Sequence, residues 1–361
     1  MKERLYSLDV LRGLDMILLV IVGPVIKAAD PVWHFSPAFM GQFRHGWEGF
    51  TLWDIIMPLF IFMCGAAIPF ALERRLANGR AGVAFWRHVL LRVAMLWVLG
   101  MVVQGNLLSL DPAKISPYSN TLQAIAAGYF VAACVMLIRQ KALRIAAPVV
   151  LALAYTLMLA FGGDYTEYGN FAFKSDIAIL KVLLPANSKW LENPSYYTWF
   201  STSLMFAAMT LAGLHATEIL RGGGEKRQKA IRLFVYGVAL EAFGWAVSPW
   251  IPVVKPIFTL SFTAQAMGWC VLSLAVLYVL TDVLMFRKGM GVVVLYGQCA
   301  LTAYLVGGWF FRPVLVKLAD ILVQGFPHAF GLDSAAMGLV VACVVACEIT
   351  LVLVIRRRLR K

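Results

Sequence analysis

Charged residues are scarce in this sequence. Only 14% of the 361 residues are Asp, Glu, Lys or Arg, whereas 61% are hydrophobic, and the mean hydropathy is +0.78. Such a composition excludes an ordinary soluble globular domain. The sequence predicts an all-α, polytopic integral membrane protein.

Long apolar runs set the expected number of membrane spans. Each run reaches about 20 residues, enough to cross a hydrocarbon core of roughly 30 Å. We expect about ten transmembrane helices in a single domain covering residues 1–361. The runs cover residues 10–29, 51–73, 84–108, 119–138, 142–162, 196–220, 229–248, 257–285, 292–311 and 336–355.

Cysteine and processing signals are also sparse. All six cysteines fall within apolar runs, which excludes a disulfide framework in the loops. Cys343 and Cys347 are one helical turn apart, but the nearby carboxylate of Glu348 lies on a different helix face, so no metal site is expected. No small-residue cleavage pattern follows the first run, which therefore predicts a retained helix rather than a signal peptide.

Basic residues outnumber acidic residues, which gives the chain a net charge of +13. The basic residues alternate sharply between successive inter-span segments, which is the pattern of membrane topology. No clustered basic face suggests a nucleic-acid partner, and both termini are predicted to be cytoplasmic. The richer segments contain Lys2, Arg4, Arg12, Arg74, Arg75, Arg80, Arg87, Arg139, Lys141, Arg144, Arg221, Lys226, Arg227, Lys229, Arg232, Arg287, Lys288, Arg356, Arg357, Arg358, Arg360 and Lys361.

With that topology, the segment 30–50 faces the outer side. It places His45 just before an apolar helix whose first turn carries Asp54. A titratable imidazole where water meets hydrocarbon is a candidate catalyst. For Asp54 the alternative is a structural one, favourable placement at a helix N-terminus.

Aromatic and acidic residues are mixed in the predicted outer loops. Such a mixture suits a carbohydrate or amino-sugar acceptor, because rings stack on sugar faces and carboxylates accept from hydroxyls and amines. The alternative is the aromatic belt common to membrane proteins. The residues are Trp33, His34, Trp47, Asp164, Tyr165, Glu167, Tyr168, Trp190, Glu192, Tyr196 and Tyr197.

Six ionisable residues lie at predicted membrane depth. Burying one unpaired costs several kcal/mol, so each should have a partner or line a wet cavity. At the cytoplasmic entrance, Asp9 and Arg12 are three residues apart on one helix face, where a salt bridge or a headgroup contact is the simpler explanation. The six are Asp15, Lys27, Asp54, Arg92, Glu241 and Glu348.

Several motifs resemble one known family. Residues 4–13, Arg-Leu-Tyr-Ser-Leu-Asp-Val-Leu-Arg-Gly, and residues 45–65, with His-x-x-x-x-x-Thr-x-x-Asp-x-x-x-Pro within them, resemble two adjacent motifs of the heparan-alpha-glucosaminide N-acetyltransferase family. Weaker similarities occur at residues 121–126, 255–262 and 297–304. The chain is identified as a bacterial member of this family of transmembrane acyltransferases.

The resemblance implies a function. The family transfers an acetyl group from acetyl-CoA, taken from the cytosolic side, to the amine of a terminal glucosamine on the far side. His45 then occupies the catalytic position as base or transient acetyl acceptor, with Asp54 orienting it. The resemblance implies a homodimer in a bacterial inner membrane, and it implies no metal. We expect acceptor contacts at Trp47, Glu48, Gln123 and Lys255, and coenzyme contacts at Arg4, Asp9, Arg12 and Arg92. For Arg92 the alternative is a side chain that extends its charge to the membrane surface.

Three positions depart from the family pattern. Gly23 stands where the family usually has Asn, Glu48 replaces the Asn after the motif Trp, and Ala124 replaces the Arg after Gln123. One interpretation of Glu48 is that it restores the polarity lost at the altered positions or binds a cationic acceptor. The other is that it indicates a different acceptor or a lapsed activity.

Two other functions stay open. One is a sugar O-acyltransferase of the envelope, which keeps the donor but acetylates a hydroxyl. The other is a secondary transporter or flippase that uses buried charges such as Asp15, Glu241 and Glu348. The sequence contains no convincing internal repeat, which weakens the transporter.

Overall fold

The structure is a computed structural model that describes residues 5–77, 80–183, 198–308 and 310–359. Helices account for most of these residues, and the predicted all-α class is confirmed. The paired strands in the described ranges are two short segments, β1 (Leu76–Ala77) and β2 (Arg80–Ala81), which form one antiparallel hairpin.

The helices follow the apolar runs closely. In chain order they are α1 (Tyr6–Ile17), α2 (Gly23–Trp33), α3 (Pro37–Gly41), α4 (Ile56–Leu72), α5 (Val83–Val103), α6 (Thr121–Val135), α7 (Lys141–Gly162), α8 (Phe171–Leu183), α9 (Ser203–Arg221), α10 (Lys226–Val247), α11 (Leu260–Tyr278), α12 (Gly291–Gln298), α13 (Ala300–Gly307), α14 (Arg312–Val323), α15 (Phe326–Phe330) and α16 (Ser334–Leu359). Two π-helical segments cover Leu18–Val22 and Val279–Val283, and 3₁₀ turns cover Leu52–Ile55, Glu73–Arg75 and Leu107–Ser109.

The ten predicted spans differ in the length and regularity of their helices. All ten apolar runs contain helix, but in the described part of the chain seven helices are long and apolar enough to cross a membrane. The first run is interrupted by the π-helix Leu18–Val22, α6 is shorter, and Cys299 separates α12 from α13. The seven are Leu52–Leu72, Val83–Val103, Lys141–Gly162, Ser203–Arg221, Lys226–Val247, Leu260–Val283 and Ser334–Leu359.

The chain divides into two compact units. The first comprises Met1–His45, Thr51–Ile56 and Leu277–Lys361, and the second comprises Gly46–Phe50 and Met57–Val276. The single domain expected from the sequence stays a prediction.

In the first unit, α1 and α12 touch backbone to backbone. A Cβ at Gly13 would overlap the carbonyl of Val293, and one at Gly297 would overlap the carbonyl of Asp9. Small residues at such a crossing let two helices approach closely in a membrane. The glycines of two family-like motifs therefore meet each other at this contact.

The start of α1 is held by an acidic side chain far along the chain. Asp282 accepts hydrogen bonds from the backbone N–H groups of Tyr6 (3.1 Å) and Ser7 (2.8 Å). Arg287 pairs with this carboxylate at 3.5 Å, and its guanidinium lies 4.7 Å from the ring centre of Tyr6. Asp282 thus satisfies donors that a helix N-terminus otherwise leaves unpaired.

In the second unit, a close crossing joins α4 to α9. A Cβ at Gly65 would overlap the carbonyl of Thr210, and one at Gly213 would overlap that of Phe62. The hydroxyl of Thr217 donates to the carbonyl of Ala66 at 2.9 Å and strengthens the contact. A buried cluster next to this crossing includes Cys64, Ile68, Leu72, Phe85, Val89, Tyr129, Ala132, Ala133, Leu211 and Leu214.

The crossing predicts a stability difference between two glycine variants. Gly65→Ala places a methyl group against the Thr210 carbonyl, so the detergent-solubilised protein should lose roughly 1–3 kcal/mol of stability. Gly338→Ala in α16 is the matched control, because nothing lies within 4 Å of the added methyl group. Apparent melting temperatures test this, and equal values for the two variants would contradict the crossing.

Candidate functional site

The start of the helix that carries Asp54 is a capping box. Thr51 is the N-cap residue of the 3₁₀ turn Leu52–Ile55, which leads into α4. Its backbone N–H donates to Oδ2 of Asp54 at 2.9 Å, and the N–H of Asp54 donates to the Thr51 carbonyl at 3.0 Å. The Thr-x-x-Asp spacing therefore lets Thr51 and Asp54 satisfy each other's backbone N–H groups in the first turn.

Gln42 satisfies two more donors of this turn. Its side-chain Oε1 accepts from the N–H of Leu52 at 3.1 Å, and its backbone carbonyl accepts from Trp53 at 2.9 Å. The four residues that begin the helix are consequently fixed by hydrogen bonds within the first unit.

The other oxygen of the same carboxylate holds His45. Nδ1 of His45 lies 2.7 Å from Oδ1 of Asp54. Asp54 is 1% exposed, whereas the His45 side chain is 51% exposed. An ionised carboxylate can accept hydrogen bonds but cannot donate one, which favours the tautomer of His45 with its proton on Nδ1. Nε2 is then the basic nitrogen.

Trp53, the residue before Asp54, packs against α2. A Cβ at Gly23 would overlap the six-membered ring of Trp53. The Nζ of Lys27 lies 5.4 Å from the centre of this indole, and the ring of Phe43 lies 5.8 Å from it. The departure at Gly23 thus has a structural reason, because the indole fills the volume that a larger side chain would need.

Three of the predicted acceptor residues lie near one another in the second unit. The backbone of Glu48 forms an antiparallel bridge with Val254, one residue before Lys255. The indole N–H of Trp47 donates to the carbonyl of Tyr165 at 2.9 Å. Glu48 is exposed and Lys255 is buried. Their contact with an acceptor stays a prediction.

Gln123 has a clear structural role. Its Oε1 accepts from the backbone N–H of Ser119 (2.7 Å) and Asn120 (3.2 Å), and its Nε2 donates to the Pro117 carbonyl at 2.6 Å. The side chain is fully buried and closes a capping box at the start of α6. Ala124 beside it is fully buried as well. The acceptor contact assigned to Gln123 stays a prediction.

The residues expected to bind the coenzyme fall in both units. Asp9 and Arg12 are half-buried on α1 of the first unit. Arg92 belongs to the second unit, where its guanidinium lies 4.6 Å from the ring centre of Tyr129. Arg4 lies outside the described residues. Their coenzyme contacts remain predictions.

Two carboxylates of the predicted outer region stabilise local structure. Asp164 accepts from the N–H (2.8 Å) and the hydroxyl (2.6 Å) of Thr166, which lowers its pKa. Asp176 accepts from the N–H of Phe200 at 2.9 Å, and burial raises its pKa to about 7. Trp190, Glu192, Tyr196 and Tyr197 lie outside the described residues.

Several site residues are not identifiable from the sequence alone. The capping role of Thr51 has a signal, the Thr-x-x-Asp spacing. The contacts of Gln42, Trp53 and Asp282 have none, because they join residues that no helical or strand periodicity relates. No group of three or more His, Cys, Asp or Glu that could hold a metal ion occurs among the described residues.

The long apolar helices define a multi-pass α-helical membrane protein. Residues 4–211 match the family model described as Domain of unknown function (DUF5009), and the chain belongs to this family.

Two curated proteins show a more distant similarity. The human heparan-alpha-glucosaminide N-acetyltransferase is 27% identical over 143 residues, which cover 38% of this chain and 20% of the human protein. The mouse protein of the same name is 26% identical over 136 residues, or 36% of this chain and 19% of the mouse protein. The matched region thus spans about a fifth of the length of these relatives.

The contact between Gly23 and Trp53 predicts a compensating pair of substitutions. Gly23→Asn should lower the apparent melting temperature, because the new side chain meets the indole, and adding Trp53→Ala should recover part of the loss. The coupling energy expected for residues in contact is about 0.5–3 kcal/mol. Gly41→Asn is the control, since nothing lies within 4 Å of a Cβ there. Additive effects of the two substitutions would contradict the contact.

Proposed function

We propose that this protein is an integral-membrane acetyltransferase. It moves an acetyl group from cytoplasmic acetyl-CoA to the amine of a terminal amino sugar on the periplasmic side of a bacterial inner membrane. The observation that carries this proposal is the pair formed by the exposed His45 and the buried Asp54, whose nearest atoms are 2.7 Å apart. The similarity to proteins named heparan-alpha-glucosaminide N-acetyltransferase supports it.

His45 has the chemistry that acetyl transfer to an amine requires. An amine is mostly protonated near neutral pH and must lose a proton to attack a thioester. Imidazole titrates in that range, and a positioned general base contributes about 10²–10⁴-fold to a rate. With Asp54 bound to Nδ1, the proton goes to Nε2, and the neighbouring carboxylate stabilises the imidazolium that forms.

His45 also fits the role of a transient acetyl acceptor. In that course Nε2 attacks the thioester, CoA leaves, and the amine then takes the acetyl group from the imidazole in a second step. The same geometry serves both courses, since Asp54 orients the ring in each. Incubation with radiolabelled acetyl-CoA distinguishes the two courses. The two-step course leaves label on the protein after acetyl-CoA is removed, whereas direct transfer does not.

The remaining roles follow from the same proposal. Arg4, Asp9, Arg12 and Arg92 hold the coenzyme at the cytoplasmic entrance, where guanidinium groups suit its phosphates. Trp47, Glu48, Gln123 and Lys255 contact the acceptor. Both termini are cytoplasmic, and two copies of the chain form a dimer.

Transfer of radiolabel from acetyl-CoA tests the proposal. Purified protein, incubated with glucosamine and a panel of amino-sugar oligosaccharides, should label an acceptor amine. His45→Ala should reduce this transfer at least about 10²-fold, because it removes the proton or acetyl acceptor. His328→Gln is the matched control, because it changes an exposed histidine that belongs to neither the proposed coenzyme contacts nor the proposed acceptor contacts.

Each other outcome has a distinct meaning. Equal transfer by the wild type and His45→Ala would contradict the role of His45. Label found on a sugar hydroxyl would show that the product is O-acetylated and that the acceptor group is not an amine. A wild-type protein that binds no acetyl-CoA would contradict the enzyme altogether.

A further inference from the structure

A small cavity lies between two helices of the first unit, at the end of α16 that carries three consecutive arginines. Its volume is about 220 Å³, and it is lined by Leu295 of α12 and by Val354, Arg357 and Arg358 of α16. Two apolar side chains thus line the cavity together with two guanidinium groups. Such a lining suits a ligand that joins an anionic group to a hydrocarbon part.

A hydrogen bond joins the same two helices one turn further into the span. The hydroxyl of Tyr296, the residue after Leu295, lies 2.8 Å from that of Thr350. Thr350 precedes Val354 by four residues, or about 6 Å along the axis. Leu353, next to Val354, is fully buried. The helices α12 and α16 therefore hold each other in place beside the cavity.

The two arginines of the cavity differ from other arginines in their ion pairing. Arg144, Arg221 and Arg287 each pair with a carboxylate. Within the described ranges, no carboxylate forms an ion pair with the exposed Arg357 or Arg358. A guanidinium group binds phosphate through two parallel hydrogen bonds. Both side chains can therefore donate to an anion that comes from outside the chain.

An exposed apolar stripe of α16 leads to the cavity. Leu351 and Ile355 are 59% and 48% exposed, and they belong to a helix long and apolar enough to cross the membrane. Because an α-helix turns about 100° per residue, Arg358 lies about 20° around the axis from Leu351 and about 40° from Val354. It is also about 10 Å beyond Leu351 along the axis. A lipid chain that lies on this stripe consequently brings its headgroup to Arg358.

The size of the cavity favours a lipid phosphate over the coenzyme. Pockets that enclose a small organic ligand measure about 300–1,000 Å³. A whole coenzyme A molecule is therefore too large for a cavity of about 220 Å³. A phospholipid needs room only for its phosphate and glycerol groups, because its acyl chains stay in the bilayer.

The cavity lies where anionic lipids are expected to be. α12 begins after the segment that contains Arg287 and Lys288, and α16 ends in three arginines. Both segments are among the basic ones that the sequence places in the cytoplasm. Basic pockets between membrane helices on that side bind anionic headgroups.

We propose that the cavity between α12 and α16 binds the phosphate of an anionic phospholipid from the cytoplasmic leaflet. Arg357 and Arg358 donate hydrogen bonds to the phosphate oxygens. Leu295 and Val354 contact the glycerol region, and an acyl chain lies on Leu351. This site is separate from the His45–Asp54 pair and does not depend on the proposed acetyl transfer.

Native mass spectrometry of the delipidated full chain tests the site. The dissociation constants of phosphatidylglycerol and of phosphatidylcholine with the same acyl chains are compared, and the wild type should bind phosphatidylglycerol more tightly. Arg358→Gln should weaken phosphatidylglycerol binding at least about five-fold, the effect of one basic residue near an anionic lipid surface. Arg356→Gln is the matched control, because it removes the same charge from the same helical turn but does not line the cavity. It should keep the wild-type affinity.

A second pair of variants tests the cavity without changing any charge. Val354→Phe fills the cavity and leaves both arginines in place, so it should also weaken phosphatidylglycerol binding. Leu351→Phe adds the same ring to the exposed stripe and should keep the wild-type affinity. Equal melting temperatures in lipid-free detergent establish that the variants compared are folded.

Three results would overturn the inference. One is a wild type that binds both lipids equally. Another is an equal loss of phosphatidylglycerol binding in Arg356→Gln and Arg358→Gln, which would show attraction to the surface charge as a whole. The third is an Arg358→Gln variant that loses affinity for acetyl-CoA but not for phosphatidylglycerol, which would assign the cavity to a coenzyme phosphate.

Discussion

The buried carboxylate of Asp54 connects the fold to the site. Its Oδ2 accepts from the backbone and hydroxyl of Thr51 and completes the start of a membrane helix, while its Oδ1 holds the ring of His45. Orientation of the imidazole is therefore a consequence of how the helix begins. The sequence leaves two interpretations of Asp54 open, favourable placement at a helix N-terminus and orientation of the histidine. They are compatible, because Oδ2 contacts the helix start and Oδ1 contacts the histidine.

Close helix crossings supply the rigidity behind this arrangement. In the first unit, Gly13 and Gly297 each face a carbonyl of the partner helix, and in the second unit Gly65 and Gly213 do the same. Each pair is reciprocal, so neither helix can shift along the other without a backbone clash. Gly13, Gly65 and Gly297 belong to the family-like motifs, and their role in this chain is packing rather than chemistry.

Much of the fold is predictable from the sequence, because apolar runs of membrane length leave few alternatives to helices. The pairing of His45 with Asp54 is equally accessible, since a capping-box spacing places the carboxylate at the helix start. The π-helix at Leu18–Val22 is not, because hydrophobic periodicity does not distinguish it from a regular turn. Without it, the hydrogen bond from Arg312 to the carbonyl of Val20 could not be expected.

Other features depend on contacts between residues distant in sequence. From the sequence, Gly23 indicates the loss of a polar side chain. The structure shows that the ring of Trp53 fills the space such a side chain would need. Gln123 makes three local hydrogen bonds at the start of α6, and its contact with an acceptor stays a prediction. Hydropathy registers apolar length but not the breaks at Leu18–Val22 and Cys299, so it does not separate the seven long helices of the described residues from the other predicted spans.

The most direct test of the account separates the two functions of Asp54. Asp54→Asn keeps an oxygen for the Thr51 N–H but offers His45 an amide donor, which reverses the tautomer and leaves Nε2 protonated. The measurement is the rate of acetyl transfer by this variant, made on protein whose melting temperature equals that of the wild type. The account predicts a loss of about 10²–10⁴-fold with the fold intact. A stable Asp54→Asn protein that transfers acetyl groups at the wild-type rate would contradict it.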